Sequence, residues 1–132
     1  MQRTIFMDII EGKIPAFKVY EDDKFLAFLD AFPRAVGHTL VIPKKPYRWV
    51  YEVPNFEEYW GVVRKVTTGI QMGIQPIWLS YLTFGLEVPH AHIHILPRFT
   101  PTTHNVASYP DQIKMSKEGL KETADKIILA MK

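Results

Sequence analysis

The stretch His90-Ala91-His92-Ile93-His94-Ile95-Leu96-Pro97-Arg98 alternates imidazole and aliphatic side chains. In an extended strand alternate residues point to opposite faces, so His90, His92 and His94 share one face while Ala91, Ile93 and Ile95 share the other. The aliphatic face pins the register, because a slip of one residue would turn the polar row into the core. Three adjacent imidazoles need several hydrogen-bond partners, and packing alone seldom produces such a row. Three readings fit the pattern. One imidazole attacks phosphorus while its neighbours hold its tautomer and meet the phosphate oxygens. Alternatively the three histidines converge on zinc or iron, or the row is a structural, hydrogen-bonded one.

Working outward, the apolar run from Pro76 to Leu82 predicts the preceding strand, with Gly85 and Pro89 as punctuation, and the strand His90 to Leu96 is expected to close at Pro97. Before these, Phe56, Tyr59, Val62, Val63, Val66 and Ile70 recur at three- and four-residue spacings, which predicts a long helix with Asn55 as its cap and Gly69 and Gly73 bracketing its end. Earlier still come two strands, Lys18 to Glu21 and Phe25 to Leu29, joined by Asp22-Asp23. A third strand, His38 to Pro43, follows the loop Asp30 to Gly37. Thr4 to Gly12 reads as a short amphipathic helix. After a polar loop from Thr100 to about Pro110, Leu120, Ala124, Ile127, Ile128 and Met131 mark a final helix starting near Ser116. The order predicts an α+β fold: an antiparallel five-stranded sheet with one long central helix, a short N-terminal helix and a C-terminal helix.

The chain has 132 residues, of which 47% are apolar and 23% charged. That suits one globular domain over residues 1–132 and excludes wholesale disorder. The absence of cysteine excludes disulfides, zinc–thiolate sites and a cysteine nucleophile. A formal charge of +2 without a compact basic run gives no reason to expect nucleic acid as a partner. Asp8 and Glu11 interrupt the apolar N-terminus, so neither a membrane partner nor a secretory segment is expected, and the expected location is cytoplasmic.

Positions 90 to 96 match His-φ-His-φ-His-φ-φ, with φ hydrophobic. Upstream stand Ile5-Phe6-x-x-Ile9-Ile10-x-Gly12-x-Ile14-Pro15, Tyr20-Glu21-Asp22-Asp23, Ala27-Phe28-Leu29-Asp30 and Gly37-His38-Thr39-Leu40-Val41-Ile42-Pro43-Lys44. In this order the motifs resemble the histidine triad (HIT) superfamily, and the resemblance runs from about residue 4 to residue 98, with residues 99–132 contributing least. It implies a nucleotide hydrolase or transferase in which His92 attacks the α-phosphorus of a nucleoside phosphoramidate or dinucleoside polyphosphate. A nucleotidyl-histidine then forms and water releases nucleoside monophosphate. By the same resemblance His94 contacts the phosphate and leaving-group region, His90 orients the triad and His38 supports it from upstream. Asp30 receives the ribose hydroxyls, and Phe6, Ile9, Phe28, Leu29 and Ala31 surround the base of an AMP-like purine nucleotide.

By the same resemblance Glu87 and Val88 belong to the phosphate-facing approach to the row. Many relatives carry Gln and then Ser or Thr at positions 86 and 87, where this chain has Leu86 and Glu87; a carboxylate there would repel phosphate, so Glu87 either points away or marks altered chemistry. A nucleotide-binding module with little turnover is the alternative. The resemblance implies no metal or other cofactor, and relatives of this size imply a homodimer. Tyr51, Phe56, Tyr59, Trp60 and Trp78 offer aromatic surface for it.

Overall fold

The computed structural model describes residues 2–132. Its elements in chain order are α1 (Ile5–Ile10), β1 (Lys18–Glu21), β2 (Phe25–Leu29), β3 (Thr39–Pro43), a 3-10 turn (Val50–Glu52), α2 (Phe56–Gly73), β4 (Trp78–Leu82), β5 (Ile93–Arg98) and α3 (Lys117–Ala130). The five strands form one antiparallel sheet in the order β1-β2-β3-β5-β4. This is the α+β arrangement expected from the sequence.

Alternation divides the sheet's side chains between two cores. Phe25, Ala27, Leu29, Val41, Ala91, Ile93 and Ile95 pack with Tyr59, Val63, Val66 and Ile70 of α2 and with Leu120, Ala124 and Ile127 of α3. The other face sets Leu26, Phe28, Leu40 and Ile42 against Phe6 and Ile9 of α1. Across β3 and β5, Leu40 is paired with His94 and Val41 with Ile93, which fixes the imidazole row on the α1 side. Burying one Ile or Val side chain contributes roughly 1.5–3 kcal/mol, so the larger core holds the register of β5 firmly.

Close approach of α2 and α3 depends on two glycines. A Cβ on Gly69 would lie 2.5 Å from Met131 Cγ, and one on Gly73 would lie 2.6 Å from the Lys126 carbonyl oxygen. Gly73 ends α2 as expected, whereas Gly69 lies inside it as a contact point. Asn55 takes the N-cap position, but its amide bonds Glu58 and caps no backbone N–H. Ser116 does cap α3, accepting the Gly119 N–H at 3.0 Å.

β5 departs from the expected span at both ends. His90, Ala91 and His92 precede it because β3 has turned away at Pro43; the Ala91 N–H donates instead to the Tyr47 carbonyl at 2.6 Å. At the other end Pro97 lies within the strand. The Arg98 carbonyl accepts from Ile77 on the β4 side. Odd-numbered residues of β5 therefore face β3, whose last pairing is Thr39 with Ile95. Pro97 lies beyond that pairing, where no N–H is required.

Candidate active site

Four histidines meet on the α1 side of the sheet, all buried: His38 at the entry to β3, and His90, His92 and His94 leading into β5. Their ring nitrogens are assigned by what each one faces. His92 Nδ1 is 2.7 Å from the His90 carbonyl oxygen. A carbonyl only accepts, so Nδ1 carries the proton and Nε2 keeps its lone pair. His90 Nε2–H likewise donates to the Pro43 carbonyl at 2.8 Å, which leaves His90 Nδ1 buried without a partner among the described residues.

The second pair is set by a relay. The Arg34 backbone N–H donates to His38 Nδ1 at 3.0 Å, so neutral His38 is protonated on Nε2. His38 Nε2–H in turn donates to His94 Nδ1 at 2.9 Å. His94 therefore carries its proton on Nε2. Neighbouring rings, His92 and His94 with centroids 5.0 Å apart, thus hold opposite tautomers: one offers a lone pair, the other an N–H.

Burial favours the neutral form of all four. Desolvation, helped by the nearby positive charge of Arg34, lowers His38 to a pKa of about 4. His94 falls to about 3, with His92 and His38 adding to the effect. Desolvation also pulls His90 and His92 below the usual imidazole value, against the raising effect of the carbonyls that hold them.

Asp30 is half-buried, and its carboxyl is raised by desolvation against the opposing effects of the Phe32 N–H and Arg34. Its Oδ1 accepts the Phe32 N–H at 2.9 Å and its Oδ2 lies 3.7 Å from His38 Nε2. Ligand atoms of Asp30, His38 and His94 all lie within 4.8 Å of one another. They do not make a fitting metal site, because His38 already accepts a hydrogen bond at Nδ1 and would have to become an imidazolate to ligate through Nε2. Among the described residues His90, His92 and His94 do not form such a group of mutually close ligand atoms.

The flanks of the row differ. Phe6 packs edge-on against His90 and His92, with centroids 5.8 and 5.1 Å away, and Ile9, Phe28 and partly buried Val88 belong to the same cluster. Ala31 is exposed. Leu29 corrects the sequence reading: one residue on from Phe28, it points into the α2 core and cannot line this flank. Glu87 and Leu86 are exposed. Gly85 beside them is buried, because the Trp49 ring occupies the space a Cβ would need.

Against the other end of the row lie Phe84 and Tyr109, at 5.4 and 5.5 Å from the His94 ring. Tyr109 comes from the loop between β5 and α3, which two arginines tie down. Arg98, expected beyond the strand, is buried on the histidine face and donates to Ser80 Oγ at 3.1 Å and to the Ala107 and Ser108 carbonyls. Arg34 Nη1 donates to the Pro110 carbonyl at 3.1 Å, and the guanidinium lies 4.5 Å from the Tyr109 ring centroid. None of Phe84, Tyr109 and Arg34 was identified from sequence. Arg34 lies four residues before His38, but nothing in residues 99–116 signals that Tyr109 returns to the row.

The HIT domain family profile matches residues 11–101. "Protein hit" of Bacillus subtilis (strain 168) is 42% identical over 105 residues, covering 74% of this chain and 72% of that protein. Among solved structures, a HIT-like protein from Bartonella henselae superposes with a TM-score of 0.83 at 32% identity, covering 97% of this chain and 96% of its own. A hypothetical histidine triad nucleotide-binding protein from Sulfolobus tokodaii strain7 also gives 0.83, at 30% identity and 96% and 91% coverage. The chain belongs to the HIT family. Membership supports nucleotide hydrolase or transferase chemistry as its general class.

Proposed function

We propose that the chain hydrolyses or transfers at the α-phosphate of a nucleoside phosphoramidate or dinucleoside polyphosphate, through a covalent nucleotidyl-His92. The observation that carries this is the pair of opposed tautomers. His92 Nε2 has a free lone pair while His94 Nε2–H is a donor beside it. His92 Nε2 forms a bond to phosphorus as the bond to the leaving group breaks, and the leaving group takes up a proton from solvent, which the water that attacks in the next step gives back. Water then attacks phosphorus, the P–N bond breaks, and nucleoside monophosphate leaves with the lone pair restored to His92. His94 Nε2–H stabilises the phosphoryl oxygens throughout. His90 contributes its carbonyl, and His38 fixes His94.

Asp30 is assigned to the ribose hydroxyls, and Phe6, Ile9 and Phe28 to the base of an AMP-like ligand. Exposed Glu87 and partly buried Val88 are assigned to the phosphate-side approach. Residues 1–132 work as one HIT domain in the cytoplasm, and no helix among the described residues is long and apolar enough to cross a membrane. A homodimer is part of the proposal. β4 is an edge strand, and its Tyr81 together with Phe56 is exposed beside Trp60. Tyr59 is withdrawn from that surface, being fully buried with its hydroxyl donating to the Val41 carbonyl. A monomeric mass at micromolar concentration would remove the dimer from the proposal.

The test is intact-protein mass spectrometry after rapid quenching with adenosine phosphoramidate, on wild type and His92→Asn. A transient gain of one AMP in wild type alone supports the covalent route. Tight AMP binding with neither adduct nor AMP release, from this compound or a dinucleoside polyphosphate, replaces it with the binding-module reading.

A further inference from the structure

A phosphoryl group carries negative charge, yet the four imidazoles around this site are held neutral by burial and Asp30 adds a carboxyl. Arg34 and Arg98 reach the loop that carries Tyr109, at the His94 end of the row. Arg98 commits Nε, Nη1 and Nη2 to Ser80 and the loop carbonyls. Among the described residues, Arg34 Nη1 donates to the Pro110 carbonyl and its Nε–H is buried with no partner. Its guanidinium is held over Tyr109, and the Tyr109 ring packs on both His38 and His94, at 6.2 and 5.5 Å. Asp30, His38 and His94 all feel its charge.

We propose that the Arg34 side chain is the anion-recognition element of this site, supplying positive charge to a nucleotide phosphate beside His94. The inference rests on the nucleotide reading above and adds a residue to it. Arg34 thus has two separable parts. Its backbone N–H fixes the His38 tautomer, and its guanidinium, oriented on Tyr109 with donors left uncommitted, meets the phosphate. Substituting the side chain removes the second and leaves the first.

Calorimetric titration of the full chain with AMP and with adenosine separates the charge from the fold. Arg34→Gln should weaken AMP by about tenfold or more, the scale of a charge-assisted hydrogen bond, while adenosine affinity changes by less than about twofold. Arg34→Lys should recover part of the loss. Equal weakening of both ligands would assign Arg34 a structural role only and overturn the proposal, as would an unchanged AMP affinity. If wild type binds AMP no better than adenosine, the phosphate reading of the whole site falls with it; wild-type discrimination that survives Arg34→Gln removes Arg34 alone. A measurement on wild type covers a variant that fails to fold. The Arg34 Nε–H resonance should shift on adding AMP and stay in place on adding adenosine, and identical shifts would overturn the proposal.

Discussion

The two faces of the strand that holds the histidines are drawn from alternate residues of one segment, yet they obey different rules. On the α2 side, Ala91, Ile93 and Ile95 meet aliphatic and aromatic neighbours in a large core, and their job is done by volume and burial. On the α1 side, His90, His92 and His94 are equally buried, but each ring is fixed by a directional hydrogen bond. The first face tolerates a neighbour of similar size. On the second, an isosteric swap that moves one proton changes the chemistry. Stability and reactivity are therefore written on opposite sides of the same strand, and substitutions on each should report separately.

The largest expected effect is on the histidine side. His92→Asn should lower turnover by at least about 10⁴-fold while the melting temperature stays near wild type; a variant with substantial residual turnover would remove His92 as the nucleophile. Next comes the aliphatic side. Ile93→Ala should destabilise the fold by about 2–5 kcal/mol in urea unfolding, with near-normal specific activity in whatever remains folded. If that variant instead lost activity without losing stability, the division between faces would be broken.

A smaller effect is expected one step back along the relay. His38→Gln should cut turnover by about 10–100-fold, as loss of an orienting partner does, with AMP affinity changed far less. The last effect is in pH. His38 and His94 have folded pKa values of about 4 and about 3, below the ordinary 6.5 that applies when the chain is unfolded. Between those limits the unfolded chain binds more protons. The contribution of these two histidines to stability is thus complete above pH 6.5, falls as pH drops toward 4 and then 3, and levels off below. His92, also lowered, should keep the acid limb of kcat/KM below pH 6.5. An acid limb centred at or above 6.5, or NMR titration of the His38, His92 or His94 ring there, would contradict the burial argument.

Much of the fold was legible because it depends on local periodicity. β1 and β2 fall on the predicted residues, and α2 shows its 3.6-residue repeat. Strand ends were harder, since β5 begins where β3 offers a partner and Pro97 is allowed by the lack of one. The site was half legible. The four histidines and Asp30 could be named, but Leu29 could not be excluded from the base flank until alternation was anchored to a particular core. Tyr59 followed the helical pattern, yet only packing against Phe25 and a bond to β3 showed that it is no surface aromatic.

By itself the sequence determined that three imidazoles share one face of a register-locked strand, since a period of two and an aliphatic opposite face require nothing beyond local geometry. Tertiary structure decided which nitrogen of each ring carries the proton, and which cation stands nearby. Those depend on partners remote in the chain: the Pro43 carbonyl for His90, His38 for His94, and Tyr109 and Pro110 for the Arg34 side chain. A tautomer is set by the atom that faces the ring, and that atom is known only once the chain has folded back on itself.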